Sequence, residues 1–202
     1  MTHRNAVLLV TALTLGRAPL VFLFAIGAVI HAFHPEALWL ASLAFAALVL
    51  AALTDLIDGW LARLLQATSR FGAHADPLTD KIFYLTVLPV LLFLIARHGG
   101  WDAHAVMLLA FTVLFLLRDQ WVTFLRSVGS EYGADVRANW SGKLRTAISF
   151  PTACAIDCYL IYQPFWLPLP LIYTLEIAGI VINLLSIVIY TRQYLPYLRR
   201  AL

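Results

Sequence analysis

Charge is scarce in this chain: Asp, Glu, Lys and Arg make up 12% of its 202 residues, against 62% that are hydrophobic. So little charge cannot clothe a soluble surface, and a mean hydropathy of +0.84 points to the bilayer as solvent. Cysteine is nearly absent as well. Cys154 and Cys158 lie four apart in an apolar stretch, where packing suits them, and two thiols leave no basis for a disulfide framework. Internal repeats, linkers and low-complexity tracts are missing, so nothing marks a boundary, and the length suits one membrane domain over residues 1–202. No cleavable signal is expected, because MTHRNAVLLVTALTLGR lacks a small-residue cleavage site and an arginine interrupts its apolar run.

Long apolar segments are what the chain does have. Six can be drawn, roughly Ala12–His34, Ala37–Leu65, Phe71–Ala96, Ala103–Arg126, Gly142–Tyr162 and Leu167–Arg192. At 1.5 Å per residue each is long enough to cross about 30 Å of hydrocarbon. Open strands are excluded, since their unpaired edges would face lipid. The expectation is an all-α membrane protein of six transmembrane helices. With the N-terminus inside, the inner face collects nearly all the Lys and Arg, from Arg4 through Arg63, Arg126, Arg137 and Lys143 to Arg200, while the outer loops offer only Arg97. That asymmetry places both termini in the cytoplasm. It also explains the basic pI of about 9.0 as a topology feature, with no reason to expect nucleic acid. Trp39, Trp101, Trp121, Trp140, Trp166 and Tyr194 stand near segment ends and read as interfacial belts.

Most of the acidic chemistry falls in one stretch, Asp55 to Asp80, reading DLIDGWLARLLQATSRFGAHADPLTD. Its pattern is D-x2-D-G-x2-A-R-x8-G-x3-D-x3-D, filled by Asp55, Asp58, Gly59, Ala62, Arg63, Gly72, Asp76 and Asp80. On helical arms, Asp55 and Asp58 share a face with Ala62, Gly59 and Arg63 form the adjoining row, and Gly72, Asp76 and Asp80 step by four along a second face. Four carboxylates converging in a partly dehydrated place either share protons or share a cation. A carboxylate-only set favours a hard divalent ion such as Mg²⁺ or Mn²⁺. The glycines and Ala62 leave bare helix surface for a bulky ligand, and Arg63 offers a fork suited to phosphate oxygens. The alternative is a salt-bridged helix pair without chemistry, which one arginine against four acids makes poor. The uncharged run Ala37–Thr54 uses up about 27 Å, so Asp55 is expected at the cytoplasmic boundary, with Asp80 slightly inside it.

This stretch resembles the signature of the CDP-alcohol phosphatidyltransferase family, with every fixed position occupied and every gap the right length. The resemblance implies a six-helix bundle with a cytoplasm-facing active-site cavity, in a bacterial inner membrane. It implies an enzyme of phospholipid biosynthesis that moves a phosphatidyl group from CDP-diacylglycerol to an alcohol and releases CMP. It further implies that Asp55, Asp58 and Asp76 bind metal, as two ions, and that Asp80 is a further ligand or the general base. Gly59, Ala62, Arg63 and Gly72 would hold the CDP group, and family members are commonly homodimers.

Smaller resemblances concern the acceptor. TALTLGRAP is similar to the T-x-x-R opening of bacterial phosphatidylglycerophosphate synthases, with Thr14 and Arg17 in place and Thr11 where Asn is usual. An arginine this far into a helix either snorkels or faces a polar cavity. The region from Arg118 to Thr146 is similar to the R-[DE]…LR…G…GK-x-[KR]-T region of those synthases, through Arg118, Asp119, Leu125, Arg126, Gly133, Gly142, Lys143, Arg145 and Thr146. Arg118, Lys143 and Arg145 would then bind the phosphate of an acceptor such as glycerol 3-phosphate, while Arg126 and Arg137 anchor loops to anionic headgroups. Inositol phosphate or phosphatidylglycerol are alternative acceptors. A divalent-cation transporter is the alternative of another class, disfavoured because the acids cluster at one face rather than at the midplane. His74 is either a ligand or incidental, and Asp157 and Glu176 have no assigned role.

Overall fold

The computed structural model describes residues 3–66, 70–100, 102–134, 139–162 and 168–201, without the side chains of His3, Arg70, Ala73 and His74. Arg137, Trp101 and Trp166, and the His74 side chain, therefore lie outside the described residues. The described chain forms six helices: α1 (His3–Phe33), α2 (Leu38–Leu64), α3 (Arg70–Gly99), α4 (Ala103–Glu131), α5 (Trp140–Tyr162) and α6 (Leu169–Ala201). No strand occurs among the described residues. Helices satisfy their backbone groups internally, which is what a chain this apolar requires in lipid.

Five of the six, all but α5, are long and apolar enough to cross a membrane, and only 28–39% of the residues in their apolar windows are buried within the protein. Large apolar side chains such as Phe22, Ile26, Leu50, Leu117 and Leu184 point outward instead. That inversion of the soluble pattern fits lipid as the surrounding medium. Helix α5 is long enough at 23 residues but carries Lys143, Arg145, Pro151 and Asp157. It falls short of the other five in apolarity, so the described structure supports five spans by composition.

The chain divides into two compact units, Met1–His98 with Leu160–Gln163, and Gly99–Tyr159 with Pro164–Leu202. In the first, the alanine row of α2 (Ala41, Ala44, Ala47, Ala51) is buried. A Cβ added at Gly27 of α1 would lie 3.1 Å from the Ala44 Cβ, so the glycine lets the two helices approach closely. Buried residues on α1 recur at Thr14, Arg17, Val21, Phe24 and Ala28, the spacing of one helix face. Helix α3 runs through Pro77 and Pro89. It starts at Arg70, so Pro77 stands within the helix and not at its start.

In the second unit, α6 presents Glu176, Gly179, Asn183, Ser186, Tyr190 and Tyr194 as a buried row at three- and four-residue steps. A Cβ at Gly179 would come 2.5 Å from the Phe111 ring, so the glycine is what admits that ring. Tyr194 corrects one expectation. It is 1% exposed, packed with Val122, Leu125 and Tyr190, and is a core residue rather than part of an interfacial belt. Trp39, Trp121 and Trp140 do face outward.

Candidate active site

Three helices of the first unit build one polar cluster. Helix α2 brings Asp55 and Asp58, α3 brings Asp76 and Asp80, and α1 brings Thr14 and Arg17, each pair spaced three or four apart. The Arg17 side chain has no solvent exposure and lies at the centre. Its Nη2 is 2.8 Å from Asp55 Oδ1, 3.0 Å from Asp58 Oδ2 and 3.7 Å from Asp76 Oδ1. Its Nη1 donates to Asp80 Oδ1. Thr14 Oγ1 donates to the same Asp58 oxygen at 2.8 Å.

Exposure rises across the four acids. Asp58 is 5% exposed, Asp55 16%, Asp80 33% and Asp76 53%, so the cluster is closed at Asp58 and open at Asp76. Four carboxylates against one guanidinium leave three negative charges in excess when all are ionised. Such an excess in a half-buried site calls for further cations. Asp55, Asp76 and Asp80 each offer an oxygen within 4.8 Å of the others, a set that could hold a metal ion. Oxygen donors without Cys or His suit a hard divalent ion, so the residues present fit such a group. Asp58 stands outside that trio, its Oδ2 taken by Thr14 and Arg17.

The remaining signature residues line the α2 and α3 arms. Gly59, Ala62 and Gly72 are half-buried and Arg63 is exposed. A Cβ built on Gly59 would meet only Arg63 Nη1, at 3.7 Å, so the bare backbone there is bordered by a guanidinium.

The second unit carries its own cationic cluster. Arg118 is 3% exposed, its Nε and Nη2 donate to Ser186 Oγ at 2.9 and 2.6 Å, and its guanidinium lies 5.0 Å from the Tyr190 ring centre. Arg145 is 8% exposed, 3.4 Å from Asp119 Oδ1 and 4.3 Å above the Phe115 ring. Arg126 is half-buried, and its Nη2 donates to the Tyr190 hydroxyl at 2.8 Å. Lys143 is exposed. Asn139 caps the start of α5, its Oδ1 accepting from Gly142 N at 3.1 Å and Ser141 Oγ at 2.7 Å. A Cβ at Gly142 would sit 3.0 Å from the Tyr190 hydroxyl and 3.7 Å from Arg118 Nη2.

Sequence reasoning missed Ser141, Ser186 and Tyr190, though the polar row on α6 is visible as a three-four spacing. It left Arg17 between two readings, and the structure turns it inward. It also missed that Glu176, fully buried, has His104 Nε2 3.2 Å from its Oε1. Asp157 is 1% exposed, and its Oδ2 has no hydrogen-bond partner.

The CDP-alcohol phosphatidyltransferase family matches residues 7–191, which runs through both units. A CDP-diacylglycerol–glycerol-3-phosphate 3-phosphatidyltransferase of Pectobacterium atrosepticum is 35% identical over 140 residues, 67% of this chain and 69% of the relative. The protein of that name from Yersinia enterocolitica is 28% identical over 193 residues, covering 95% of this chain and 93% of the relative. A probable phosphatidylglycerophosphate synthase of Mycobacterium tuberculosis is 32% identical over 159 residues, 79% and 66% of the two chains. No solved structure matches. A match of this extent, over a chain whose complete aspartate signature folds onto one cluster, settles the assignment: the chain belongs to the CDP-alcohol phosphatidyltransferase family and is an enzyme.

Proposed function

We propose that this protein transfers the phosphatidyl group of CDP-diacylglycerol to the hydroxyl of glycerol 3-phosphate and releases CMP, a step of phospholipid biosynthesis. The observation that carries this reading is the convergence of all four signature aspartates on Arg17, with Asp55, Asp76 and Asp80 partly open. The acceptor is the one named in its relatives.

In this reading the acceptor hydroxyl attacks the phosphorus that bears diacylglycerol. The bond from that phosphorus to the bridging oxygen breaks, and CMP departs with the bridging oxygen. Asp80 receives the hydroxyl proton on a carboxylate oxygen as the general base. Gly59, Ala62 and Gly72 leave room for the CDP group, and Arg63 supplies a planar fork for its phosphates. Arg118, Lys143 and Arg145 bind the phosphate of the acceptor and orient its hydroxyl. Mg²⁺ or Mn²⁺, held by Asp55, Asp58, Asp76 and Asp80 as two ions, would supply neutralisation of the charge that gathers on the diphosphate.

The same proposal takes residues 1–202 as one domain with six membrane spans and a cavity opening to the cytoplasm. Helix α5 serves as the sixth span because its polar residues Ser149, Thr152 and Asp157 are buried within the protein. The distribution of Lys and Arg supports cytoplasmic termini in a bacterial inner membrane, and a homodimer is the expected assembly. The test is CMP release by purified protein with CDP-diacylglycerol, Mg²⁺ or Mn²⁺, and a panel of acceptors. Release with glycerol 3-phosphate is expected. Release only with inositol phosphate or phosphatidylglycerol would replace the acceptor, and release with none would end the transferase reading.

A further inference from the structure

Arg17 stands among the very oxygens that a divalent ion needs. Its guanidinium reaches Asp55 Oδ1 at 2.8 Å and Asp76 Oδ1 at 3.7 Å and pairs with Asp80 Oδ1, the three residues whose carboxylates could jointly hold a metal. Its fourth partner differs in kind. Asp58 is the most buried of the acids, and its Oδ2 accepts from Thr14 Oγ1 at 2.8 Å as well as from Arg17 Nη2 at 3.0 Å. Thr14 lies one turn before Arg17 on α1, so both donors to Asp58 come from the same helix face. The Arg17 Nε is buried and has no hydrogen-bond partner, so the guanidinium is fastened only through its two outer nitrogens.

We propose that Arg17 is a built-in competitor of the divalent cation, anchored on Asp58 and surrendering Asp55, Asp76 and Asp80 as metal binds, so that it sets the metal affinity of the site. This rests on the metal-site reading given above, narrowed to Asp55, Asp76 and Asp80, whose oxygens lie within 4.8 Å of one another. Each N–H of Arg17 on a carboxylate occupies a lone pair that a metal would use, and two cations on one set of acids repel. A purely architectural arginine acts the other way. It would hold the carboxylates in place for the metal, and its removal would weaken binding.

The sign of the effect decides between the two. The measurement is the Mn²⁺ dissociation constant of the full-length protein in detergent, without lipid substrate, from the electron paramagnetic resonance of free Mn²⁺. Arg17→Met, which keeps reach and removes charge, is expected to bind Mn²⁺ about tenfold more tightly or better, and Arg17→Lys to stay near wild type. Equal or weaker binding by folded Arg17→Met overturns the proposal. Should Arg17→Met fail to fold, the wild-type protein decides: the arginine nitrogen resonance that is missing from Arg17→Lys should shift as Mg²⁺ saturates the site. A resonance that stays fixed through saturation overturns the proposal too. Mn²⁺ binding that ignores Arg17 ends this inference alone. An absence of Mn²⁺ binding in wild type ends the metal-site reading and this one with it.

Discussion

Asp76→Asn should stabilise the protein in a chelator while destroying its metal site. Asp76 is the outermost acid of the cluster, 53% exposed and 3.7 Å from Arg17 Nη2. Its carboxylate also lies within 4.8 Å of those of Asp55 and Asp80. With an effective dielectric constant of about 20, each repulsion at that distance is about 3.5 kcal/mol and the attraction to Arg17 about 4.5 kcal/mol. Two repulsions against one attraction leave about 2.5 kcal/mol of net strain. Solvent at a half-exposed carboxylate screens this to about 1 kcal/mol. Removing the charge should therefore raise the melting midpoint in EDTA by about 2–4 °C for a chain of this size.

The assay is tryptophan-fluorescence melting of detergent-purified wild type and variant, in EDTA and in Mn²⁺. Metal reverses the order, because a ligand at 100 times its dissociation constant stabilises wild type by about 2.7 kcal/mol and the weakened site gains less. Asp58→Asn is the control. It removes a charge that both Thr14 and Arg17 address in a buried position, so its midpoint should fall in either buffer. An Asp76→Asn protein that melts below wild type in EDTA would refute the idea that the acids repel one another more than Arg17 restrains them.

Three further outcomes are expected. Asp80→Asn keeps the shape of the side chain but cannot take a proton, so turnover should vanish while the melting curve persists; near-normal CMP release would remove Asp80 as the base. Arg118→Ala, which deletes the guanidinium now paired with Ser186, should raise KM for glycerol 3-phosphate about tenfold or more, with a smaller change for CDP-diacylglycerol; equal changes would argue against an acceptor role. Glu176→Leu leaves the His104 imidazole without its carboxylate and should cost about 1–3 kcal/mol of stability, read by melting, with KM values for both substrates unchanged.

The helices and the aspartates were legible for the same reason: both are written in short-range periodicity. Apolar runs of 20 or so residues between loops admit little but helix in lipid, and the observed helices contain each expected segment nearly whole. The D-x2-D and D-x3-D spacings put each pair of acids on one face by helical periodicity alone. Helix ends were less readable. Helix α1 begins at His3 and α6 continues to Ala201, beyond the apolar runs expected at Ala12 and Arg192, because polar turns continue a helix wherever propensity allows and nothing caps it earlier. The count of spans stayed open at α5, whose buried Ser149, Thr152 and Asp157 lower its apolarity while facing the protein interior.

Partner choice across helices was beyond the sequence, and Arg17 is the instructive case. Its depth in α1 was plain, but depth does not reveal azimuth, and a snorkelling arginine has the same neighbours in sequence as one turned inward. Register decides it: Thr14, Arg17, Val21 and Phe24 form the buried face of α1, so the arginine shares the orientation of the apolar residues that pack the helix in place. The His104 and Glu176 pair obeys the same logic from α4 and α6, 72 positions apart. In both, a polar side chain in an apolar segment has its partner on another helix. At Arg17 four acids answer one cation, an imbalance that leaves the site short of positive charge and poised to take up more.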